Sequence, residues 1–251
     1  MIVRLLLAAL AAGLIAGMAM TPAQYVKTIP LIMQAEAYEN GESGHHHGAA
    51  DAGAAEEAES TGHSHGADAH GAGSEDDGSM LGLGRLGDTI LANLVAGAGF
   101  ALMLAAVALL AGLEFPVGRD GVVRGVLLGT AAWFCVQLAP AISLPPAVPG
   151  FPYADLGDRQ AWWAIAVLAS AVGVWCLTMR PEWLVKALGV VIIVAPHVWG
   201  SPVPEDLSSE VPAYIASAYA AASLATTLFF WLLLGGLLGF FLSRVPRDAG
   251  A

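Results

Sequence analysis

The sequence predicts an all-α, polytopic integral membrane protein, and three observations carry that prediction. Of 251 residues, 57% are hydrophobic and only 12% charged, about half the charged share of a water-soluble domain. The apolar residues are gathered into runs long enough to cross about 30 Å of hydrocarbon at roughly 1.5 Å per residue. A single hydrophilic insert, Gly41–Gly78, interrupts them and carries six of the seven histidines. Backbone groups in lipid must find partners within their own segment, so the runs are read as helices.

About six transmembrane helices are expected, over Val3–Met20, Ile90–Leu113, Val122–Leu144, Trp162–Met179, Trp183–Trp199 and Ala216–Leu242. The fifth is the weakest, being short, with Lys186 inside it and Pro196 near its end. The first also reads as a signal peptide, with Arg4, an apolar core and small residues near Ala19–Ala23; its removal would leave five spans. The chain then divides into a first transmembrane helix at 1–22 and an extracytoplasmic juxtamembrane segment at 23–40. A disordered His- and acid-rich loop at 41–87 follows, and a transmembrane bundle with short loops fills 88–251. Gly13/Gly17, Gly125/Gly129 and Gly235/Gly239 place small residues one turn apart, a spacing that lets helices approach closely. Cys135 and Cys176 lie inside apolar runs and read as small buried hydrophobes.

Orientation follows from the basic residues. With the N-terminus in the cytoplasm, Arg4, Arg119, Arg124, Arg180, Lys186, Arg244 and Arg247 fall inside, and only Lys27, Arg85 and Arg159 fall outside. The His-rich loop is then extracytoplasmic. Trp162, Trp163, Trp183 and Trp199 sit near span ends, where an aromatic belt is expected.

The insert holds His45, His46, His47, His63, His65 and His70 among many carboxylates. Imidazole with carboxylate attracts borderline divalent metals such as Zn²⁺, Ni²⁺ and Co²⁺. Gly, Ala, Ser, His, Asp and Glu build no core, so the segment is expected to be disordered without metal. It reads either as a metal-collecting tether of moderate affinity or as a solvated acidic linker. Eleven carboxylates between Thr21 and Gly87 face only Lys27 and Arg85, which supplies most of the net charge of −11. Nothing in that balance favours nucleic acid, which calls for a basic surface.

His197 differs from the other histidines because it lies inside the fifth apolar run. An ionisable side chain at membrane depth is costly and ordinarily faces a protein interior or an aqueous cavity; a histidine satisfied at the interface is the competing reading. On the same side lie Asn93, Gln137 and Asp155, together with Asp158, Arg159, Glu205, Asp206 and Glu210, which outline an anionic vestibule. Asp155 and Arg159 also have the i,i+4 spacing of a helical ion pair, and Asn93 and Gln137 suit interhelical hydrogen bonds. The inner half offers no ionisable residue apart from interfacial Arg and Lys. No phosphate-binding loop, His-Glu-x-x-His helix or Gly-x-Ser-x-Gly elbow occurs, so no enzyme is expected.

A series of strings in fixed order resembles the CbtA-type cobalt transporter subunit family of bacterial membrane proteins. They are Gln24-Tyr-Val-Lys-Thr-Ile-Pro30 running on to Glu36-Ala-Tyr38-Glu39, Leu138-Ala-Pro140-Ala, and Leu144-Pro-Pro-Ala-Val-Pro149-Gly150. Ala154-Asp155-Leu156 with Arg159-Gln160-Ala-Trp162-Trp163 follows, then Pro196-His197 with Gly200-Ser-Pro202, then Val211-Pro212-Ala213, Ala222-Ser223-Leu224 and Phe230-Trp231. The resemblance covers essentially the whole chain. It implies uptake of Co²⁺ across the bacterial inner membrane in connection with cobalamin supply. It also implies a small single-span, His-bearing partner subunit of the CbtB type, with homo-oligomerisation left open. Gln137 stands where the resemblance leads one to expect histidine in some relatives, which shifts weight to His197.

On this reading the loop imidazoles collect the ion, while Glu36, Glu39 and His197 receive it. No tightly bound cofactor is expected; the metal is a loop-bound or transported ion, Co²⁺ by preference. The alternatives are a nickel or zinc transporter, or a non-transporting membrane sensor or scaffold that binds Zn²⁺ or Ni²⁺.

Overall fold

The computed structural model describes residues 2–45 and 83–245. Among these residues every regular element is helical. Five helices are long and apolar enough to cross a membrane: α1 (Ile2–Lys27), α3 (Gly84–Leu110), α4 (Arg119–Ala141), α5 (Leu156–Met179) and α7 (Ala213–Leu242). A sixth apolar helix, α6 (Trp183–Trp199), is shorter; its 17 residues extend about 25 Å, a little less than the hydrocarbon thickness. The chain is a multi-pass membrane protein.

Two helices run beyond the apolar stretches that announce them. α1 continues through Pro22 to Lys27, and after a break at Thr28 the chain resumes as α2 (Ile29–His45). Pro30 lies just inside the start of α2, where a missing N–H costs least. Thr28 closes the junction, its amide and hydroxyl both donating to the Gln24 carbonyl at 2.9 and 3.1 Å. α2 is held by burial of Ala35 against Val148, Val211 and Ile215, so tertiary packing extends a helix whose sequence turns polar. α3 ends in a paired C-terminal turn: Leu113 N–H bonds Ala108 O at 2.8 Å and Gly112 N–H bonds Leu109 O at 3.1 Å. Gly112 supplies the positive φ of 63° which that turn requires.

Neighbouring helices pack antiparallel along seams of glycine. Gly13 and Gly17 of α1 lie against Gly97 and Asn93 of α3; Gly125 and Gly129 of α4 lie against Gly235 and Gly239 of α7; Gly173 of α5 lies against Gly189 of α6. At each seam a Cβ would overlap a backbone carbonyl of the facing helix, so backbones are in direct contact as small-residue interfaces allow. The glycine spacings seen in the sequence thus meet one another across α4 and α7. α1 sits between α3 and α7 around a core of Ala9, Ala12, Ala16, Leu104, Trp231 and Leu234. Phe100 stacks tilted on Trp231 with ring centroids 5.1 Å apart.

The α5–α6 hairpin joins this bundle at a π-helical turn, Phe134–Leu138, inside α4. Pro140 has no N–H to give the Val136 carbonyl. Trp163 of α5 provides one instead, its indole N–H donating to Val136 O at 3.2 Å. The wide turn and the helix that docks on it therefore share one hydrogen bond.

Candidate metal-handling site

Antiparallel packing brings α2, the start of α3, the end of α4, the start of α5, the end of α6 and the start of α7 to one end of the bundle. His197 lies there, in the last turn of α6 directly after Pro196. Gly200, with φ of 94°, ends the helix three residues later. The His197 Nδ1 is 2.8 Å from Ser143 Oγ, in the loop that follows α4. Ser201 Oγ donates to the Ser143 carbonyl at 2.6 Å, so the same serine is fixed at both its side chain and its backbone. The Trp162 indole of α5 meets the imidazole edge-on with centroids 5.7 Å apart.

Two polar atoms at this junction are buried without a partner, His197 Nε2 and Trp162 Nε1. Buried polar atoms are ordinarily bonded, which makes the unpartnered imidazole nitrogen a candidate ligand-binding atom. If Nδ1 carries the proton and donates to Ser143, Nε2 presents a lone pair, the arrangement by which a neighbouring acceptor orients a metal-binding histidine. Trp162 also lines a cavity of about 420 Å³ with Asp158, Pro196 and Ser201; His197 itself is not part of that lining. Asp158, in the first turn of α5, is the carboxylate of that cavity.

The remaining sequence-nominated residues fall in several places. Glu36 is buried, 6% exposed, and forms a 3.4 Å ion pair with Arg85, which tethers α2 to the start of α3. Glu39 is exposed on the next turn and lies beside Gly150. Asn93 pins α3 to α1, its amide donating to Thr21 Oγ1 at 3.0 Å and to Gln24 Oε1 at 2.7 Å. Gln137 lines a second cavity, on the other side of α5. Asp155 caps α5 by accepting from the Gly157 and Asp158 amides at 2.8 and 3.3 Å. Arg159 stacks over the Tyr153 ring at 4.6 Å, so the i,i+4 spacing of Asp155 and Arg159 serves a cap and a stack. α2 ends at His45; His46, His47, His63, His65 and His70 lie outside the described residues, as does most of the expected disordered loop.

Ser143 and Arg85 were not legible as partners, because each meets its counterpart about fifty residues away in sequence. The only sequence signal for Ser143 is its place at the head of the Pro-Pro loop, opposite Ser201-Pro202. Among the described residues no three His, Cys, Asp or Glu side chains converge as a complete metal cage. Asp158 lines the cavity beside the α6 terminus, while His197 is held one residue behind Pro196, outside that lining.

Between α4 and α5, Tyr153 donates its hydroxyl to the Val148 carbonyl. Burial of that hydroxyl end pushes the phenol up to about 12, against the opposing pull of the Arg159 guanidinium. Asp206, after α6, is held below its ordinary value by the Ser208 amide and hydroxyl, both at 2.8 Å.

Fold and site together define a polytopic helical membrane protein with a histidine, bonded through Nδ1 and unpartnered at Nε2, where its helices and loops converge. Residues 2–243 match the family described as probable cobalt transporter subunit (CbtA), and the chain belongs to that family. No curated protein and no solved structure matches it.

Proposed function

We propose that this protein is the membrane-embedded subunit of a Co²⁺ uptake system, in which His197 receives the ion at the extracytoplasmic end of the bundle. The observation that carries the reading is the buried, partnerless Nε2 of His197, whose ring meets the Trp162 indole, in a chain matched almost end to end by a cobalt transporter subunit family. The basic residues support the orientation. Six described residues, Arg4, Arg119, Arg124, Arg180, Lys186 and Arg244, lie at the end opposite His197, against Lys27, Arg85 and Arg159 at the near end. The near end is therefore extracytoplasmic and the N-terminus cytoplasmic, in the inner membrane of a bacterium.

In this scheme the histidines of 45–70 collect the ion by flexible, moderate-affinity coordination, and Glu39 and Asp158 draw it toward His197. Glu36 is committed to Arg85 and acts by fixing the base of the histidine-bearing segment. A small single-span His-bearing subunit of the CbtB type supplies the ligands missing around the cavity. Capture weakens below about pH 6, as imidazoles with a reference pKa near 6.5 become charged. The test is uptake of radiolabelled Co²⁺ by cells carrying His197→Ala. A loss at every concentration supports the reading, and an unchanged rate removes His197 from the path.

The lack of a three-ligand cluster among the described residues favours one second reading, a metal-responsive membrane scaffold that binds Zn²⁺ or Ni²⁺ without moving it. In that case purified protein binds metal while proteoliposomes show no flux.

A further inference from the structure

The first turn of α5 divides its charges between two cavities. Asp158 lines the cavity next to His197. Arg159 and Gln160 line a separate cavity of about 320 Å³, bounded on its other sides by the π-turn of α4 and by α7. That volume lies at the small end of the roughly 300–1,000 Å³ typical of ligand pockets. Gln137 and Ser223 are among its polar lining residues, and Leu144 and Pro145 among its apolar ones.

Arg159 makes no ion pair among the described residues. Its guanidinium lies over the Tyr153 ring at 4.6 Å. Stacking uses the flat face of the group and leaves the planar fork of N–H donors free at its edge. Gln137, half-buried in the π-turn, has amide donors with no partner among the described residues. Trp163 marks the rim, its indole N–H already given to Val136 O. The nearby carboxylate of Asp155 is occupied by the α5 amides, and Asp158 belongs to the other cavity. A pocket lined by a guanidinium without an ion pair, by a carboxamide and by apolar side chains suits a phosphate monoanion or diester. The pocket lies where α4 ends and α5 begins, at the end of two apolar spans, where headgroups are expected.

We infer that the cavity between the α4 π-turn, α5 and α7 binds a phosphate group through Arg159 and Gln137, in a site separate from the cation cavity across α5. The inference does not depend on the metal reading: Gln137 and Arg159, which the sequence placed in the vestibule, line a cavity separate from the one beside the α6 terminus.

The test uses the full-length purified chain in detergent, titrated with phosphatidylglycerol in one arm and inorganic phosphate in the other, with binding read by native mass spectrometry and by tryptophan fluorescence. Wild type should bind at least one probe saturably. Arg159→Gln should weaken it about tenfold or more, the scale of losing a charge-assisted hydrogen-bond pair. Gln137→Leu, which keeps Arg159 and its Tyr153 stack, should weaken it several-fold. Binding of the lipid alone identifies a headgroup, and binding of both probes identifies a general phosphate site; either supports the inference. Absence of saturable binding of both probes to wild type, or equal affinity in wild type and in a folded Arg159→Gln or Gln137→Leu variant, overturns it.

Discussion

Two alanine substitutions separate the effect of the glycine seams from that of helix propensity. In Gly235→Ala the new methyl carbon would stand 3.0 Å from the Gly125 carbonyl carbon and 3.0 Å from Gly129 Cα, and it would overlap the Gly125 carbonyl oxygen. Carbon atoms rest at about 3.5–4.0 Å, so α4 and α7 must move apart by roughly 0.5–1 Å along the seam. Rigid backbone is what the methyl meets, and overpacking of this kind costs about 1–3 kcal/mol. In Gly99→Ala, on the exposed face of α3, nothing lies within 4 Å of the new atom. Both variants gain the same helix propensity, up to about 1 kcal/mol. The difference between them therefore isolates the steric term. Gly99→Ala should be as stable as wild type or more so, and Gly235→Ala should be about 1–3 kcal/mol less stable than Gly99→Ala. Gly236→Ala, whose nearest neighbour is a Val126 methyl at 3.4 Å, should behave like Gly99→Ala although it adjoins the sensitive position. Thermal dispersion in detergent followed by size exclusion measures the order. If Gly235→Ala melts with Gly99→Ala, α4 and α7 do not meet through their backbones.

Trp163→Phe keeps the ring and removes the donor to Val136 O; a loss of about 0.5–1.5 kcal/mol is expected, with the α5–α6 hairpin becoming more susceptible to proteolysis. Glu36→Gln should weaken the tie between α2 and Arg85 and speed amide exchange at the start of α3, leaving the helices around Trp231 unchanged. Because the Tyr153 phenol is raised to about 12, its contribution is fully present below the ordinary tyrosine pKa near 10 and is lost as pH rises through about 12. Ultraviolet titration should show the late-ionising tyrosine signal reduced by one residue in Tyr153→Phe. Ser143→Ala should leave the fold intact but raise the Co²⁺ concentration needed for half-maximal uptake, since the imidazole loses the group that orients it; equal half-saturation in the two proteins counts against that role.

Much of this architecture was legible because lipid imposes simple rules. Long apolar runs announced the spans, and their antiparallel packing follows from the short connections between them. Glycine spacing announced the α4–α7 seam. His197 stood out because an imidazole in an apolar run has few acceptable surroundings. The helical run from Met20 to His45 was harder to read: hydropathy falls there, and the helix persists because Ala35 is buried against a loop and a helix start far along the chain. The π-turn was hidden for a related reason, since Pro140 explains a missing donor but not that Trp163 replaces it. Asp155 and Arg159 suggested an ion pair by spacing alone, whereas the loop geometry around Tyr153 gave each a different partner. Pairings such as Ser143 with His197 depend on how helices meet, and no local pattern records them.

The central claim is that this chain carries Co²⁺ through a site that includes His197. Purified protein reconstituted in liposomes, with and without a small single-span His-bearing subunit, can be loaded outside with radiolabelled Co²⁺ and the internal label followed over time. The account predicts partner-dependent accumulation that His197→Ala abolishes and that loss of residues 41–78 reduces only at scarce metal. Metal binding without accumulation in any of these vesicles, or accumulation that His197→Ala leaves unchanged, would contradict it.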